Sequence, residues 1–403
     1  MDIRDEAMQL RNEKHQMIKT GLNAKMENSH DLAVVYTPGV AAPCLAIKEE
    51  EDKSLELTWR GNVVAVISDG TRVLGLGDIG PAAAMPVMEG KSALYKRFGN
   101  IDAIPIVLNT KDKDEIVRTI RILEKSFAGI NLEDFSSPKC YDIEDELKAT
   151  MNIPVFHDDQ HGTAIAALAA VLGALRLIKK GIGEAKVVMC GAGAAGTGIA
   201  RLLLEDGVKP ENMTVLNSKG ILYDDGRLNR VQKELAKKVN PENRQGTFAD
   251  AVKGADILLA TSAPAAFKEM HKEAIKTMAE KNVVFAMANP IPEMMLSDAQ
   301  ELGVYVFGTG RSDMPNQVNN SSVFPGLFRG ALDVRARQIN EPMKLAAAHA
   351  LADLVSDEEL KPEYVVVDVF DPRVPHAVAK ASAKAAIESG VARVTKLPEQ
   401  YKD

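Results

Sequence analysis

The sequence predicts an α/β protein: a doubly wound parallel-sheet domain behind an N-terminal mixed α/β domain. Three observations carry this. From Lys186 onward, short apolar runs alternate with helical segments, the rhythm of strands joined by crossovers. One of these runs leads straight into a glycine-rich turn and a helix. Finally, 403 residues exceed what one ordinary core holds, so two domains are expected.

The expected strands of the second domain are "KVVMC", "MTVLN", "DILLATS", "NVVFAMAN" and "VYVFGTG". They are nearly continuous apolar runs, as parallel strands covered on both faces should be. This domain is assigned to residues 163–371. In the preceding 1–162, "NVVAVIS-DG-TRVLGLG" reads as two strands joined at Asp69-Gly70, a hairpin signal. "GKSALYKRFGN" reads as a short helix stopped by Gly99, and "IDAIPIVLNT" as a buried strand. "KDEIVRTIRILEKSF" has the spacing of an amphipathic helix, and "NIPVFHDD" reads as a further strand. A long helix, "GTAIAALAAVLGALRLIKKG", is expected to end at Gly181. Residues 372–403 supply a closing helix, "PHAVAKASAKAAIESG", that packs back on the body, and a frayed tail, "KLPEQYKD".

Composition removes several functions. A net charge of -7 without basic blocks argues against nucleic acid, whose phosphates need a basic face. The charged start "MDIRDEAMQLRNEKHQMIK" has no apolar core and reads as neither signal nor transit peptide. The apolar run Ala164 to Leu175 is too short to span a bilayer and reads as a buried helix. Cys44, Cys140 and Cys190 are few and scattered, which suits reduced thiols in a cytoplasmic protein. In that setting the sequons at Asn212, Asn319 and Asn320 carry no meaning.

"KVVMCGAGAAGTGIARLLLEDG" places Gly191, Gly193 and Gly196 in G-x-G-x-x-G register between strand and helix. In that context the loop Gly191, Ala192, Gly193, Ala194, Ala195, Gly196 is a dinucleotide cradle, and the domain is Rossmann-like. A tight structural turn is the simpler alternative, and the surrounding βαβ pattern argues against it. Where NAD enzymes often carry an acid for the ribose hydroxyl, "TVLNSKG" has Asn217. Asn217 can bond that hydroxyl without repelling a 2′-phosphate, and Lys219 could attract one. NAD and NADP both remain open.

"FHDDQHGTA" admits two readings. As a zinc site of the H-E-x-x-H kind, His157 and His161 would share one helix face with Glu after the first histidine. The sequence has Asp there, and the helix is not expected to begin much before Gly162, so the zinc reading is the weaker one. The other makes Asp158 and Asp159 the working groups, at a strand's carboxyl end where α/β sites gather. A second acidic pair, Glu133 and Asp134 in "INLEDF", follows another apolar stretch. Both pairs converging would suit Mg²⁺ or Mn²⁺, which take oxygen ligands. Solvated caps are the bland alternative for each pair taken alone.

"VVYTPGVAAPC", "DGTRVLGLGDIG", "EGKSALYKRFG", "INLEDF", "FHDDQHGTA", "CGAGAAGTGIA", "ANPIPE" and "GTGRSDMPNQVNNSSVFPG" occur in this order over most of the chain. Together they resemble the malic enzyme family in its short bacterial form. The resemblance implies oxidative decarboxylation of malate to pyruvate and CO₂ with NAD or NADP and a divalent metal. It implies Glu133, Asp134 and Asp159 as metal ligands, with Lys91, Tyr36 and Asp158 catalytic. It implies Arg72 as a carboxylate partner, Asn289 and Asn320 as substrate contacts, and Asn319 as an assisting one.

The chemistry suits these residue types. A base must take the C2 hydroxyl proton while hydride leaves for the nicotinamide. Lys91 is expected to open a short helix, whose positive end and a nearby cation would lower its pKa, while Asp158 pushes the other way and relays the proton. Tyr36 is the acid that protonates the enol carbon, and Arg72 offers a planar fork to a carboxylate. "ANPIPE" and "NNSSVFPG" depart from the family pattern beside the asparagines. At 403 residues, the acyltransferase-like extension of some longer relatives is not expected. In short relatives the N-terminal segment often crosses to a partner subunit, so a homodimer with Tyr36 completing the neighbour's site is expected. Two alternatives stand beside this: a malolactic enzyme that releases lactate, and a dinucleotide-sensing regulatory protein without turnover.

Overall fold

The structure, a computed structural model, describes residues 3–14 and 16–402; expectations touching Met1, Asp2, His15 and Asp403 lie outside the described residues. The N-terminal half holds β1 at Val63–Ser68, β2 at Asp102–Val107, β3 at Gly129–Leu132 and β4 at Val155–His157. They form one parallel sheet in the order β2-β1-β3-β4. The second half holds β5 at Val187–Cys190, β6 at Met213–Asn217, β7 at Gly220–Ile221, β8 at Ile257–Ala260, β9 at Val283–Ala286 and β10 at Val306–Thr309. Their order is β10-β9-β8-β5-β6-β7, parallel except for β7. The five strands expected here are all present. The chain reverses its direction of winding at β5, between β6 and β8, which is where a doubly wound sheet opens its binding crevice.

The hairpin is absent. Val63–Ser68 is buried throughout and pairs in parallel with β2 and β3, so β1 is a central strand. After Asp69-Gly70 the chain folds into a short 3₁₀ turn at Leu74–Leu76 instead of returning alongside β1. A strand apolar on both faces has no solvent side for a hairpin partner to leave open, and parallel neighbours claim both its edges. Strand β2 lies on the sheet edge and is only half-buried, where the sequence reading expected a buried strand.

Helix boundaries also move. The helix expected at "GKSALYKRFGN" begins at Pro81 and runs to Gly99. A proline at the first turn forfeits an N–H that has no helical partner anyway, and Pro86 removes one hydrogen bond without ending the helix. The long helix runs Asp158–Ile178, so it begins before Gly162 and passes through the expected 162/163 boundary. Asp158 and Asp159 occupy its first turn, where the helix's positive end favours carboxylates. Its left-handed cap is Lys179 at φ 57 rather than Gly181.

That helix is long and apolar enough by composition to cross a membrane, but 67% of the relevant window is buried inside the protein. Its apolar side chains, among them Ile165, Leu168, Val171 and Leu175, join β1 residues Val64 and Val66 and β5 residues Val187 and Met189 in one continuous core. Each such side chain contributes about 1.5–3 kcal/mol when fully buried. Alternate β1 residues (Val63, Ala65, Ile67) face a second cluster on the far side of the sheet. The Ala194–Glu205 helix packs directly on this long helix. At their crossing, a side chain on Gly198 would lie 2.5 Å from the Gln160 carbonyl.

The closing helix Arg373–Glu388 packs against Phe324–Asp333 and Glu341–Ala352. The tail after it is docked where fraying was expected: Tyr401 is buried, and its hydroxyl donates to Asp333 at 2.5 Å. Tyr401→Phe is therefore expected to lower unfolding free energy by about 1 kcal/mol and Tyr401→Ala by about 3 kcal/mol, read from urea unfolding. Equal midpoints for all three proteins would contradict a docked tail.

Candidate active site

Three neighbouring parallel strands end on the same edge of the first sheet, and each hands a polar loop to that edge. Arg72 follows β1, Glu133 and Asp134 follow β3, and Asp158 and Asp159 follow β4. Backbone bonds stitch the loops together. The Glu133 N–H donates to the Ile67 carbonyl at 2.9 Å, and the Arg72 N–H to the Asp134 carbonyl at 3.0 Å. The Asp134 N–H donates to the Asp159 carboxylate at 2.8 Å. As a result, one ligand atom from each of Glu133, Asp134 and Asp159 lies within 4.8 Å of the others. Burial pushes the Glu133 carboxyl up to about 8; Lys91 opposes this, and the Asp159 and Asp158 charges reinforce it. Three hard oxygen donors crowded against mutual repulsion fit a hard divalent cation such as Mg²⁺ or Mn²⁺.

Lys91 enters this cluster from the Pro81–Gly99 helix. Its ammonium lies 2.5 Å from Asp158 Oδ2 and 2.9 Å from Glu133, and 4.4 Å from the centre of the Phe324 ring. It stands ten residues into the helix, so the helix's positive end does not act on it as the sequence reading expected. Burial alone would lower its pKa, but the charges of Asp158 and Glu133 outweigh burial and hold it above the ordinary lysine value. Asp158 is raised by burial against the pull of Lys91. Asn320 donates to the same Asp158 oxygen at 2.6 Å. The Asp158 carboxylate curls back over its own helix: a side chain on Gly162 would meet Asp158 Oδ1 at 1.9 Å.

Other expected residues lie elsewhere. Tyr36 ends the Ser29–Val35 helix with 65% of its surface exposed, and among the described residues no hydrogen bond joins its side chain to the carboxylates. The Arg72 side chain is exposed, although its backbone touches the acidic loop. Asn319 spends its side-chain oxygen on the Ser321 N–H at 2.9 Å, capping the turn that presents Asn320. Asn289 is exposed beyond the end of β9. The two histidines diverge. His157 Nε2 lies 3.3 Å from Asp159, whereas His161 lies 2.9 Å from Glu144 and 3.0 Å from Lys344. The shared helix face that zinc would need does not form.

Two residues escaped the sequence reading. The buried Tyr95 hydroxyl donates to Asn131 at 2.9 Å, and Asn131 donates to Glu133 at 2.8 Å, fixing that carboxylate from behind. The signals existed: Tyr95 falls four residues after Lys91, on the same helix face, and Asn131 is a lone polar residue in the apolar run "GINL".

At the end of β5, Gly191 has φ 120, a left-handed value that favours glycine. A side chain at Gly196 would lie 1.9 Å from the Gly191 carbonyl, so helix and loop meet with no room for one. Gly193 caps the Ala194–Glu205 helix with no side-chain acceptor, leaving the helix's positive end to a ligand. Asn217 uses its side-chain oxygen on the Lys219 N–H at 2.8 Å, and Lys219 reaches Asp225 at 3.2 Å. A side chain at Gly193 would meet nothing within 4 Å. Gly193→Val should therefore keep the wild-type melting temperature yet weaken binding of the reduced dinucleotide, read by its fluorescence, by roughly ten- to a hundredfold through lost phosphate hydrogen bonds. Unchanged affinity would place the dinucleotide elsewhere.

Comparison with known proteins identifies the family. Residues 12–148 match the family described as "Malic enzyme, N-terminal domain", and residues 160–388 match "Malic enzyme, NAD binding domain". The chain is 50% identical to the "Bifunctional malic/malolactic enzyme" of Bacillus subtilis, covering 99% of this chain and 97% of that protein. It is 48% identical to the "NAD-dependent malic enzyme" of Geobacillus stearothermophilus, covering 94% of this chain and 79% of that protein. The crystal structure of malic enzyme from Pyrococcus horikoshii superposes with a TM-score of 0.91 at 43% identity, covering 97% of this chain and 92% of that one. With both family domains matched in order over one α/β scaffold, the chain belongs to the malic enzyme family.

Proposed function

We propose that the chain oxidatively decarboxylates (S)-malate to pyruvate and CO₂, reducing NAD or NADP with the help of Mg²⁺ or Mn²⁺. The observation that carries this is the Lys91 ammonium held 2.5 Å from Asp158 and 2.9 Å from Glu133, beside three clustered carboxylates. Glu133, Asp134 and Asp159 would hold the cation, which when bound supplies compensating charge and Lewis acidity toward the substrate's oxygens. Lys91 first passes its own proton to the adjacent Asp158 oxygen, whose proton affinity burial has raised, and the neutral Nζ then takes the C2 hydroxyl proton. Asn320 steadies the same oxygen. Arg72 pairs with a substrate carboxylate, Asn289 and Asn319 line the substrate side, and the Gly191–Gly196 loop receives the pyrophosphate. The free thiols of Cys44, Cys140 and Cys190 accord with a reducing, cytoplasmic setting.

A second reading has support from the 50% identical relative named for both malic and malolactic activity. Incubation with malate, Mn²⁺ and either dinucleotide separates the two. Net growth of the reduced-nicotinamide absorbance, lost on chelation of the metal, is expected; lactate without reduced dinucleotide would favour the malolactic reading.

We infer further that the chain acts as a homodimer in which Tyr36 of one subunit serves as the proton donor at the other's site. The helices Ile3–Lys14, Ser29–Val35 and Ala41–Glu49 bury no residue, and Leu22, Val34, Tyr36 and Leu45 are each at least 60% exposed. Apolar exposure on this scale marks a surface meant for a partner. Mixing inactive Tyr36→Phe and Lys91→Ala proteins should restore up to about a quarter of wild-type activity by random subunit exchange, since a two-fold pair then holds one intact site. Absence of rescue after confirmed exchange would put Tyr36 and Lys91 to work within one chain, or Tyr36 outside the reaction.

A further inference from the structure

The Asp158–Ile178 helix carries both a proposed cation ligand and the partner of Lys91 in its first turn, yet its N-cap, His157, makes no side-chain cap. In an ordinary capping box the residue at the third helical position, here Gln160, reaches back to the N-cap N–H. Gln160 instead donates its side-chain amide to Glu144 at 2.8 Å, and Glu144 accepts the His157 N–H at 3.2 Å. Glu144 comes from a different helix, Lys139–Thr150, and is buried. The same carboxylate lies 2.9 Å from His161 Nε2 and 2.6 Å from Lys148. His161 Nδ1 in turn lies 3.0 Å from the buried ammonium of Lys344, which also lies 2.8 Å from Glu341. With Lys344 donating to Nδ1, His161 is the tautomer that donates Nε2–H to Glu144.

We propose that Glu144 is a positioning residue for Asp158 and Asp159, completing from a neighbouring helix the cap that fixes where the strand β4 turns into the helix. Residues 157, 160 and 161 surround the two aspartates in sequence, and all three are anchored to this one carboxylate. Its removal frees the turn that aims Asp159 at Glu133 and Asp134 and Asp158 at Lys91. None of the four groups bonded to Glu144 is one of those aspartates, so the effect passes through backbone placement.

The inference rests on the carboxylate cluster being a cation site, so direct Mn²⁺ binding to the full-length protein, followed by calorimetry or by the loss of free-Mn²⁺ electron spin resonance, is measured first. A wild-type chain that binds no Mn²⁺ overturns both readings. Given wild-type binding, Glu144→Gln should weaken Mn²⁺ roughly tenfold or more and lower kcat, as loss of an outer support does at metal sites. Its affinity for the dinucleotide should not change. Glu341→Gln, altering the exposed acid at the far end of the same network, should leave Mn²⁺ affinity within about twofold. Where Glu144→Gln yields no folded protein, Gln160→Met removes only the amide arm and should weaken Mn²⁺ in the same direction by a smaller factor. A variant that melts earlier but binds Mn²⁺ and turns over as the wild type does would reduce Glu144 to a structural residue and overturn the proposal.

Discussion

The candidate site is built around one buried ammonium among several buried carboxylates. Lys91 is 8% exposed, Glu133 4%, Asp134 3% and Asp158 0%. Charges taken this far from water must be paired, and a pair of poor geometry is worth less than no charges at all. Lys91, with His157 beside Asp159, faces the four acids Asp158, Glu133, Asp134 and Asp159, so carboxylates outnumber their cationic partners. Burial, reinforced by the neighbouring Asp159 and Asp158 charges, raises the proton affinity of Glu133, and a doubly charged cation would relieve both the burial and the crowding.

The fold makes that crowding affordable. Parallel strands β1, β3 and β4 deliver their following loops to one edge, so acids distant in sequence meet without long excursions of the chain. The supports stand one layer further out. Tyr95 and Asn131 hold Glu133, Asn319 turns Asn320 toward Asp158, and Asn320 shares the Asp158 oxygen with Lys91. Most of these supports are ordinary caps and strand-end hydrogen bonds, and they acquire a chemical purpose only from what they aim.

Periodicity made most of the second half legible. Its five expected strands appear because a buried parallel strand must be apolar at every position, a pattern that survives translation from sequence to structure. The glycine loop was legible because each glycine answers a separate steric demand. Local signals failed where tertiary context decided. Asp69-Gly70 looks like a hairpin turn from its two residues alone, yet parallel neighbours on both edges of β1 overrode it. The Lys91 helix was expected to open at its lysine, but it starts ten residues earlier at Pro81 and runs on through Pro86. That error carried a wrong electrostatic argument with it, since a lysine at a helix start and one ten residues in experience different fields. The convergence of Glu133, Asp134 and Asp159 could not be read from spacing, because nothing local says which loop ends share an edge. Tyr36 matched a motif, but a single chain leaves it in solvent.

Among the glycine contacts between the two halves, the one between Gly198 and the Gln160 carbonyl is the tightest on the backbone of the acid-bearing helix. One of the crossing helices begins at the acidic pair, and the other at the glycine-rich loop. Because no side chain separates them there, neither helix can slide across the other without a backbone collision. The spacing between the helix that bears the acids and the helix that follows the glycine loop is thus set by a side chain that is missing, and any larger residue at position 198 would wedge the two apart.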